Sequence, residues 1–138
     1  MRSFLKLCLS TRLWRPLFFV LLAAVLYLTL KPNPQIAEVA VMPRTVAEFF
    51  DLHDDWKNVA GFAALALAGF LGWPEGWGPT TWSRRPRRRL LFVALFSAVW
   101  WMEFFQLFIP TRFADPKDLV AGGLGTLLAW IASEAVRR

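Results

Sequence analysis

The sequence predicts an all-α protein, a bundle of four transmembrane helices with a short interfacial helix in the first outer loop. Hydrophobic residues make up 57% of the 138-residue chain, more than the roughly 45–50% typical of soluble domains. They fall into four blocks separated by short charged stretches, as in polytopic membrane proteins. Backbone inside a bilayer must satisfy its own hydrogen bonds, which favours helices. The length fits one domain, residues 1–138.

The first apolar block covers residues 13–30 and is followed by Lys31-Pro32-Asn33-Pro34, a sequence that ends a helix. Basic residues precede the block, so a cleaved signal peptide is the competing interpretation. The nearest small-residue site, around Ala40, lies about ten residues past the block, which disfavours cleavage.

The other three predicted helices cover residues 56–73, 90–109 and 118–136. At ~1.5 Å per residue the segment 90–109 spans ~30 Å, a full hydrocarbon thickness. The other blocks are slightly shorter, and a re-entrant segment is the alternative for each of them. The second and fourth blocks each carry a stripe of small residues that favours close helix packing: Ala60, Ala64, Ala68 and Gly72, and Ala121, Gly125, Ala129 and Ser133.

Charge predicts the orientation of the bundle. Most of the 16 Lys and Arg residues precede the first block, separate the second from the third, or end the chain, whereas most of the ten acidic residues lie in the other loops. The positive-inside rule therefore places both termini in the cytoplasm. The run from Arg84 to Arg89 lies between two membrane helices, so we expect it to contact anionic lipid head groups rather than nucleic acid. Membrane lipids are thus predicted partners, and membrane proteins are further candidates.

Helix-capping signals occur in both outer loops. Thr45 and Glu48 fit a capping box, which predicts a short helix that either lies on the outer interface or packs on the bundle as an ordinary loop helix. Asp115 is suited to be the N-cap of the last helix, with Pro116 at its first position. Asp118 then lies in the first turn, where a negative charge meets the helix dipole favourably.

Glu103 and Gln106 are polar residues inside the third apolar block. They are three residues apart and therefore share a face of the helix. An ionised carboxylate in lipid costs ~2.5–3.5 kcal/mol, so Glu103 should face the bundle interior and have a partner, or be protonated. Arg112 is the expected partner, with Lys57 and Arg44 as alternatives. The pair is either a structural lock or part of a ligand site.

Two motifs in this chain resemble signatures of the VanZ-like family of membrane proteins. The pattern Glu103-x-x-Gln106, Pro110-x-Arg112-x-x-Asp115-x-x-Asp118 and then Gly125 looks like the second of these signatures. The pattern Asp55-x-x-Asn58-x-x-x-Phe62 resembles the first. The match covers about residues 50–132. It departs from the family where helix two begins, which lacks the family's His, and at Gly122, where the family often has Asn.

The resemblance implies a small, multi-pass protein of the bacterial inner membrane, in a family named for resistance to the glycopeptide teicoplanin. It also defines a site near one outer bundle mouth. The predicted ligand- or partner-binding residues form an outer polar cluster: Asp55, Asn58, Glu103, Gln106, Arg112, Asp115 and Asp118.

Three hypotheses for function follow from the sequence. In the first, the outer polar cluster of a non-catalytic protein binds a polar group, a lipid-linked group or a partner. In the second, the chain is an accessory subunit of a larger membrane complex, which its aromatic residues and small-residue stripes would suit. In the third, it is an enzyme on a lipid or lipid-linked substrate, with Glu103 or Asp118 as general acid or base. The single Cys8 and single His53 predict no metal site. No cofactor is expected and no catalytic residue is assigned.

Overall fold

The computed structural model describes residues 11–32, 35, 43–111 and 115–136, without the side chain of Asp54. Within these residues the chain is helical and contains no strand, which confirms the all-α prediction. The helices are α1 (Thr11–Leu30), α2 (Arg44–Leu52), α3 (Asp54–Gly72), α4 (Arg84–Gln106) and α5 (Pro116–Ala135).

The bounds of α4 differ most from the prediction of 90–109. The helix begins at Arg84, because the extended Ser83 provides its N-cap position and arginine is a good helix former. Pro86 lies in the first turn, where its missing N–H removes no intrahelical hydrogen bond. The helix ends at Gln106, and tighter turns follow, in which the N–H of Ile109 donates to the Gln106 carbonyl at 3.0 Å. Pro110 disfavours a helical conformation for the residue before it.

Two of the helices, α1 and α4, are long and apolar enough to cross a membrane. Their most apolar 18-residue windows have mean hydropathies of 2.0 and 1.2. A signal sequence or the core helix of a soluble protein meets the same criterion of length and composition. Both α3 and α5 open with charged residues, so their apolar portions are shorter than the helices themselves. The criterion therefore identifies two candidate membrane-spanning helices, not the predicted four.

The bundle is organised around α3, which packs against α1 on one side and α5 on another, while α4 completes the core. Phe70 and Leu65 of α3 and Leu91 and Val99 of α4 are almost completely buried. Phe18 of α1 also belongs to this core and meets Trp73 edge-to-face, with 5.2 Å between the ring centroids. The first helix is thus an integral part of the packed bundle.

Among the helical glycines, Gly125 of α5 makes the closest approach to a neighbouring helix, α3. A Cβ atom added there would lie 2.3 Å from the Val59 carbonyl oxygen and 2.9 Å from the Ala63 nitrogen. Each residue of the α5 stripe is buried, as predicted. The α3 stripe was only half right, because Ala60 and Ala64 are exposed. At Gly125, α5 approaches α3 at Val59 and Ala63, each one residue before an exposed member of the predicted stripe.

The short helix α2 confirms the predicted loop helix but not its capping box. It begins at Arg44, with Pro43 at the N-cap position and no side-chain cap. The Glu48 carboxylate accepts a hydrogen bond from Arg44 Nε at 2.8 Å. The Glu48 carboxylate therefore pairs with Arg44 along the helix. The capping box had predicted that this carboxylate accepts a hydrogen bond from the backbone N–H of Thr45. The observed pairing also uses the Arg44 side chain that was one alternative partner for Glu103.

The connection between α3 and α4, residues 73–83, is held against α4. Gly76 has a φ of +78°, and a Cβ atom at this position would lie 2.2 Å from the Arg87 carbonyl carbon. The left-handed conformation and the lack of space both require glycine. The next residue, Trp77, donates its backbone N–H to the Arg87 carbonyl at 3.0 Å. This connection is thus an ordered part of the bundle.

Candidate functional site

The predicted site residues lie at the end of the bundle where α1 and α4 end and α3 and α5 begin, here called the mouth. A hydrogen bond of 2.8 Å from Thr111 Oγ1 to the Pro32 carbonyl joins the segments that follow α1 and α4 at this end. The structure places Glu103 and Gln106 in the interior of the bundle and Asp55 in a groove on its side, and the other described members of the predicted cluster lie apart from that groove.

Glu103 and Gln106 form the interior part of the mouth. They are 8% and 5% exposed, and they share a face of α4 as predicted. Gln106 Nε2 donates to the Thr29 carbonyl of α1 at 3.4 Å, and the Thr29 hydroxyl approaches the Met102 sulfur at 4.0 Å. This face of α4 therefore holds the end of α1. Arg112, the predicted partner of Glu103, lies outside the described residues.

The second part is a cavity of about 550 Å³ between the first turns of α3 and α5, here called the α3/α5 groove. Asp55 and Lys117 are the charged side chains of its lining, and both are exposed. The remaining lining residues are apolar: Trp56, Val59, Pro116, Val120, Ala121 and Leu124. The groove thus combines one residue of each charge with a wall of aliphatic and aromatic side chains.

A neighbouring apolar cavity of about 490 Å³ lies between α4 and α5, and we call it the α4/α5 groove. It is lined by Phe92, Phe96, Trp100, Pro116, Leu119, Val120, Gly123, Leu124 and Leu127. Pro116, Val120 and Leu124 belong to both linings. These three residues are four apart and form a ridge along α5. The α3/α5 groove, which carries Asp55 and Lys117, therefore adjoins the apolar α4/α5 groove along this ridge of α5.

The other predicted site residues have structural roles or lie apart from the groove. Asp115 Oδ1 accepts a hydrogen bond from the Lys117 backbone N–H at 2.9 Å, which confirms Asp115 as the N-cap of α5. Asp118 lies in the first turn of the same helix, also as predicted. Asn58 is half-buried in α3. Of the predicted cluster, Asp55 lines the α3/α5 groove.

Arg88 is a buried charged residue that sequence reasoning placed in an exposed basic run. It is 4% exposed, and its Nη2 pairs with Glu134 Oε1 at 2.5 Å and donates to Ser133 Oγ at 3.1 Å. Nη1 donates to the Pro74 carbonyl at 3.2 Å. The guanidinium lies 4.9 Å from the centroid of the Trp130 ring. The signal was its spacing, because Arg88 precedes the core residue Leu91 by three positions and shares its helix face.

Comparisons with protein-family models, curated proteins and solved structures find no match for this chain. The VanZ-like resemblance therefore stays a prediction from the motifs. Among the described residues, no group of three or more His, Cys, Asp or Glu side chains is placed to hold a metal ion.

Proposed function

We propose that this chain is a VanZ-like, non-catalytic membrane protein of the bacterial cell envelope that binds a lipid with a polar head group at its mouth. The α3/α5 groove carries the proposal. Asp55 and Lys117 would meet the polar group at its entrance, and the apolar wall would accommodate a hydrocarbon chain. The ridge of Val120 and Leu124 continues this wall into the α4/α5 groove. A site with an apolar wall and few polar groups is typical of small-molecule pockets.

The proposal includes four crossings of the inner membrane with both termini in the cytoplasm. Since α1 and α4 meet the criterion for crossing, the helices α3 and α5 packed between them would cross as well. Support comes from the exposed side chains, many of which are large and apolar, including Trp100, Trp101 and Phe104. Such contiguous exposure is unusual for a soluble monomer. The contribution of Phe18 to the core supports retention of α1 over cleavage as a signal peptide.

Within this proposal, Gln106 and Glu103 position the mouth and do not contact the lipid. The hydrogen bond from Gln106 to the Thr29 carbonyl supports this positioning role. It joins α4 to the last turn of α1 and so keeps that end of the bundle closed. The possible link to teicoplanin resistance follows from the family resemblance and belongs to the same proposal.

Lipid binding is tested by filling the groove. Leu124 lines both grooves and Leu128 lines neither, although both lie on α5 and are about half exposed, at 50% and 54%. Leu124→Trp should remove a lipid that co-purifies in mild detergent, as measured by native mass spectrometry with lipid identification. The control Leu128→Trp should retain it. Equal retention by both variants would contradict the proposed site.

The same preparation distinguishes the two alternative functions. A stoichiometric protein that co-purifies and is identified would support an accessory subunit of a larger complex. Chemical turnover of the bound lipid would support the enzyme hypothesis, and its dependence on Glu103 or Asp118 would then be measured. A bound lipid that is neither altered nor accompanied by a protein supports the non-catalytic proposal.

Topology is tested with single cysteines on a Cys8→Ser background. Leu52, the last residue of α2, and Thr80, in the connection between α3 and α4, are exposed residues at opposite ends of the bundle. A membrane-impermeant maleimide applied to intact cells should label Leu52→Cys and should label Thr80→Cys only after permeabilisation. Labelling of both positions in intact cells would contradict the four-crossing arrangement.

A further inference from the structure

A second polar cavity lies at the end of the bundle opposite the mouth, between the first turns of α4 and the end of α5. It has a volume of about 570 Å³ and is here called the arginine cleft. Its lining residues are Ser83, Arg84, Arg85, Arg88, Arg89, Trp130 and Glu134. Four arginines therefore line one cavity together with a single acidic residue.

That carboxylate is already used within the protein. Glu134 pairs with Arg88, which is also held by Ser133 and by the Pro74 carbonyl. Arg88 thus forms a fixed, neutralised floor, and its guanidinium faces the Trp130 ring. The lining offers no further carboxylate to balance the positive charges of the other three arginines.

Those three arginines are free to take a ligand. Arg85 and Arg89 are exposed, and neither has an ion pair among the described residues. Arg84 is 3.9 Å from the Glu75 carboxylate, a contact between two side chains that are each at least half exposed. Exposed pairs of this kind contribute little. Arginine forks match phosphate oxygens in shape and charge, so a phosphate group would satisfy this arrangement.

The arginine cleft is lined by some, but not all, of the basic residues between Arg84 and Arg89. Arg87 does not line it, and Arg87 Nη2 lies 3.6 Å from the Glu75 carboxylate. The exposed Ile131 and Ala135 line a neighbouring cavity together with Trp130 and Glu134, which also line the cleft. A phosphate on a hydrocarbon-bearing molecule would place its charge in the cleft and its chains along these residues. Basic pockets between transmembrane helices bind lipid head groups in this way.

We propose that the arginine cleft is a phosphate-binding site in which Arg84, Arg85 and Arg89 bind the phosphate and Arg88 with Trp130 shapes the floor. The head group of an anionic phospholipid is the expected source of the phosphate, and a free phosphate compound is the other source with the same chemistry. The site is separate from the grooves at the mouth, and a phospholipid as the source of its phosphate rests on the membrane crossings proposed above.

Binding is measured as thermal stabilisation of the purified chain in mild detergent, since a ligand of the folded state raises the unfolding temperature. The added probes are cardiolipin, phosphatidylcholine and inorganic pyrophosphate. Cardiolipin should raise the unfolding temperature in a saturable way, whereas phosphatidylcholine should not. Arg85→Gln and Arg89→Gln should each weaken the apparent affinity by about tenfold, because each removes one charged fork from the phosphate.

Arg12→Gln is the control, because Arg12 is an exposed arginine on the first turn of α1 that does not line the cleft. It should retain the affinity of the unsubstituted chain. Stabilisation by pyrophosphate with the same dependence on Arg85 and Arg89 would support the site and identify a soluble phosphate as its source. If neither cardiolipin nor pyrophosphate stabilises the protein, the proposal is overturned. An equal loss of affinity in Arg12→Gln would also overturn it, since a diffuse surface charge would then explain the binding.

Discussion

Gly125 offers the sharpest test of the packing between α3 and α5. In Gly125→Ala the new Cβ would lie 2.3 Å from the Val59 carbonyl oxygen, whereas ordinary contact begins at 3.4 Å. The two helices must therefore separate locally by about 1 Å, because the atom that is met belongs to the backbone and cannot rotate away. Overpacking of this kind costs ~1–3 kcal/mol, and we expect the upper part of that range.

Helix propensity opposes this cost, because alanine stabilises a helix interior by ~1 kcal/mol relative to glycine. The net expectation for Gly125→Ala is a loss of ~1–2 kcal/mol in the free energy of unfolding. At Gly61 the nearest atom to a new Cβ is Val25 Cγ2, at 3.8 Å. Gly61→Ala should therefore be neutral or stabilise the protein by up to ~1 kcal/mol.

Gly123 provides an intermediate point, since its Cβ would meet Phe96 Cε2 at 3.0 Å. The Phe96 side chain is 37% exposed and needs to shift by only a few tenths of an ångström, so Gly123→Ala should change stability little. The three variants are compared by far-UV circular dichroism during SDS titration of the protein in detergent. The reasoning is refuted if Gly125→Ala is as stable as Gly61→Ala.

Three further predictions concern polar contacts, and each is measured by the same titration. Glu134→Ala should cost ~3 kcal/mol in the free energy of unfolding, since it leaves the buried Arg88 charge without its carboxylate. Arg88→Met should cost only ~1–2 kcal/mol, because the carboxylate left behind belongs to Glu134, which is 41% exposed. The reverse order would contradict the assignment of Arg88 as the buried partner. Arg15→Ala should cost ~1 kcal/mol by removing the 3.0 Å hydrogen bond from its Nε to the last carbonyl of α3, and the exposed Arg12→Ala serves as its control. Asp115→Ala should cost ~1 kcal/mol as a lost N-cap while Asp115→Asn is nearly neutral, and neither should change the lipid that co-purifies; loss of lipid in both would assign Asp115 to the binding site.

Local chemistry in the sequence predicted the helix ends where a single residue decides them. Asp115 and Pro116 suit the start of a helix in any context, and the structure places both as expected. The capping box predicted at the start of α2 was wrong, since Pro43 holds the N-cap position and no side chain caps the helix. Arg44 reaches Glu48 within the helix, and a capping-box pattern does not reveal that ion pair.

The faces of helices were more predictable than their partners. Periodicity correctly placed Glu103 and Gln106 on one buried face of α4. It did not identify the Thr29 carbonyl as the acceptor for Gln106, because the two residues are 77 positions apart and meet only through the packing of α1. The burial of Arg88 was missed for a related reason, since Glu134 and Ser133 come from the other end of the chain. The two grooves likewise arise from helix packing and have no local signature.

The ordered connection between α3 and α4 determines where foreign sequence can be inserted. Tolerated insertions fall where the backbone is exposed and makes few hydrogen bonds. Gly76 and Trp77 satisfy neither condition, because one lies against the Arg87 backbone and the other donates its N–H to it. An epitope tag or reporter protein inserted at this point would remove the backbone contacts of Gly76 and Trp77 with Arg87, which lies in the first turn of α4. Exposed positions such as Thr80 suit a single label, and a larger fusion at this end of the bundle would disturb the arrangement it was meant to report.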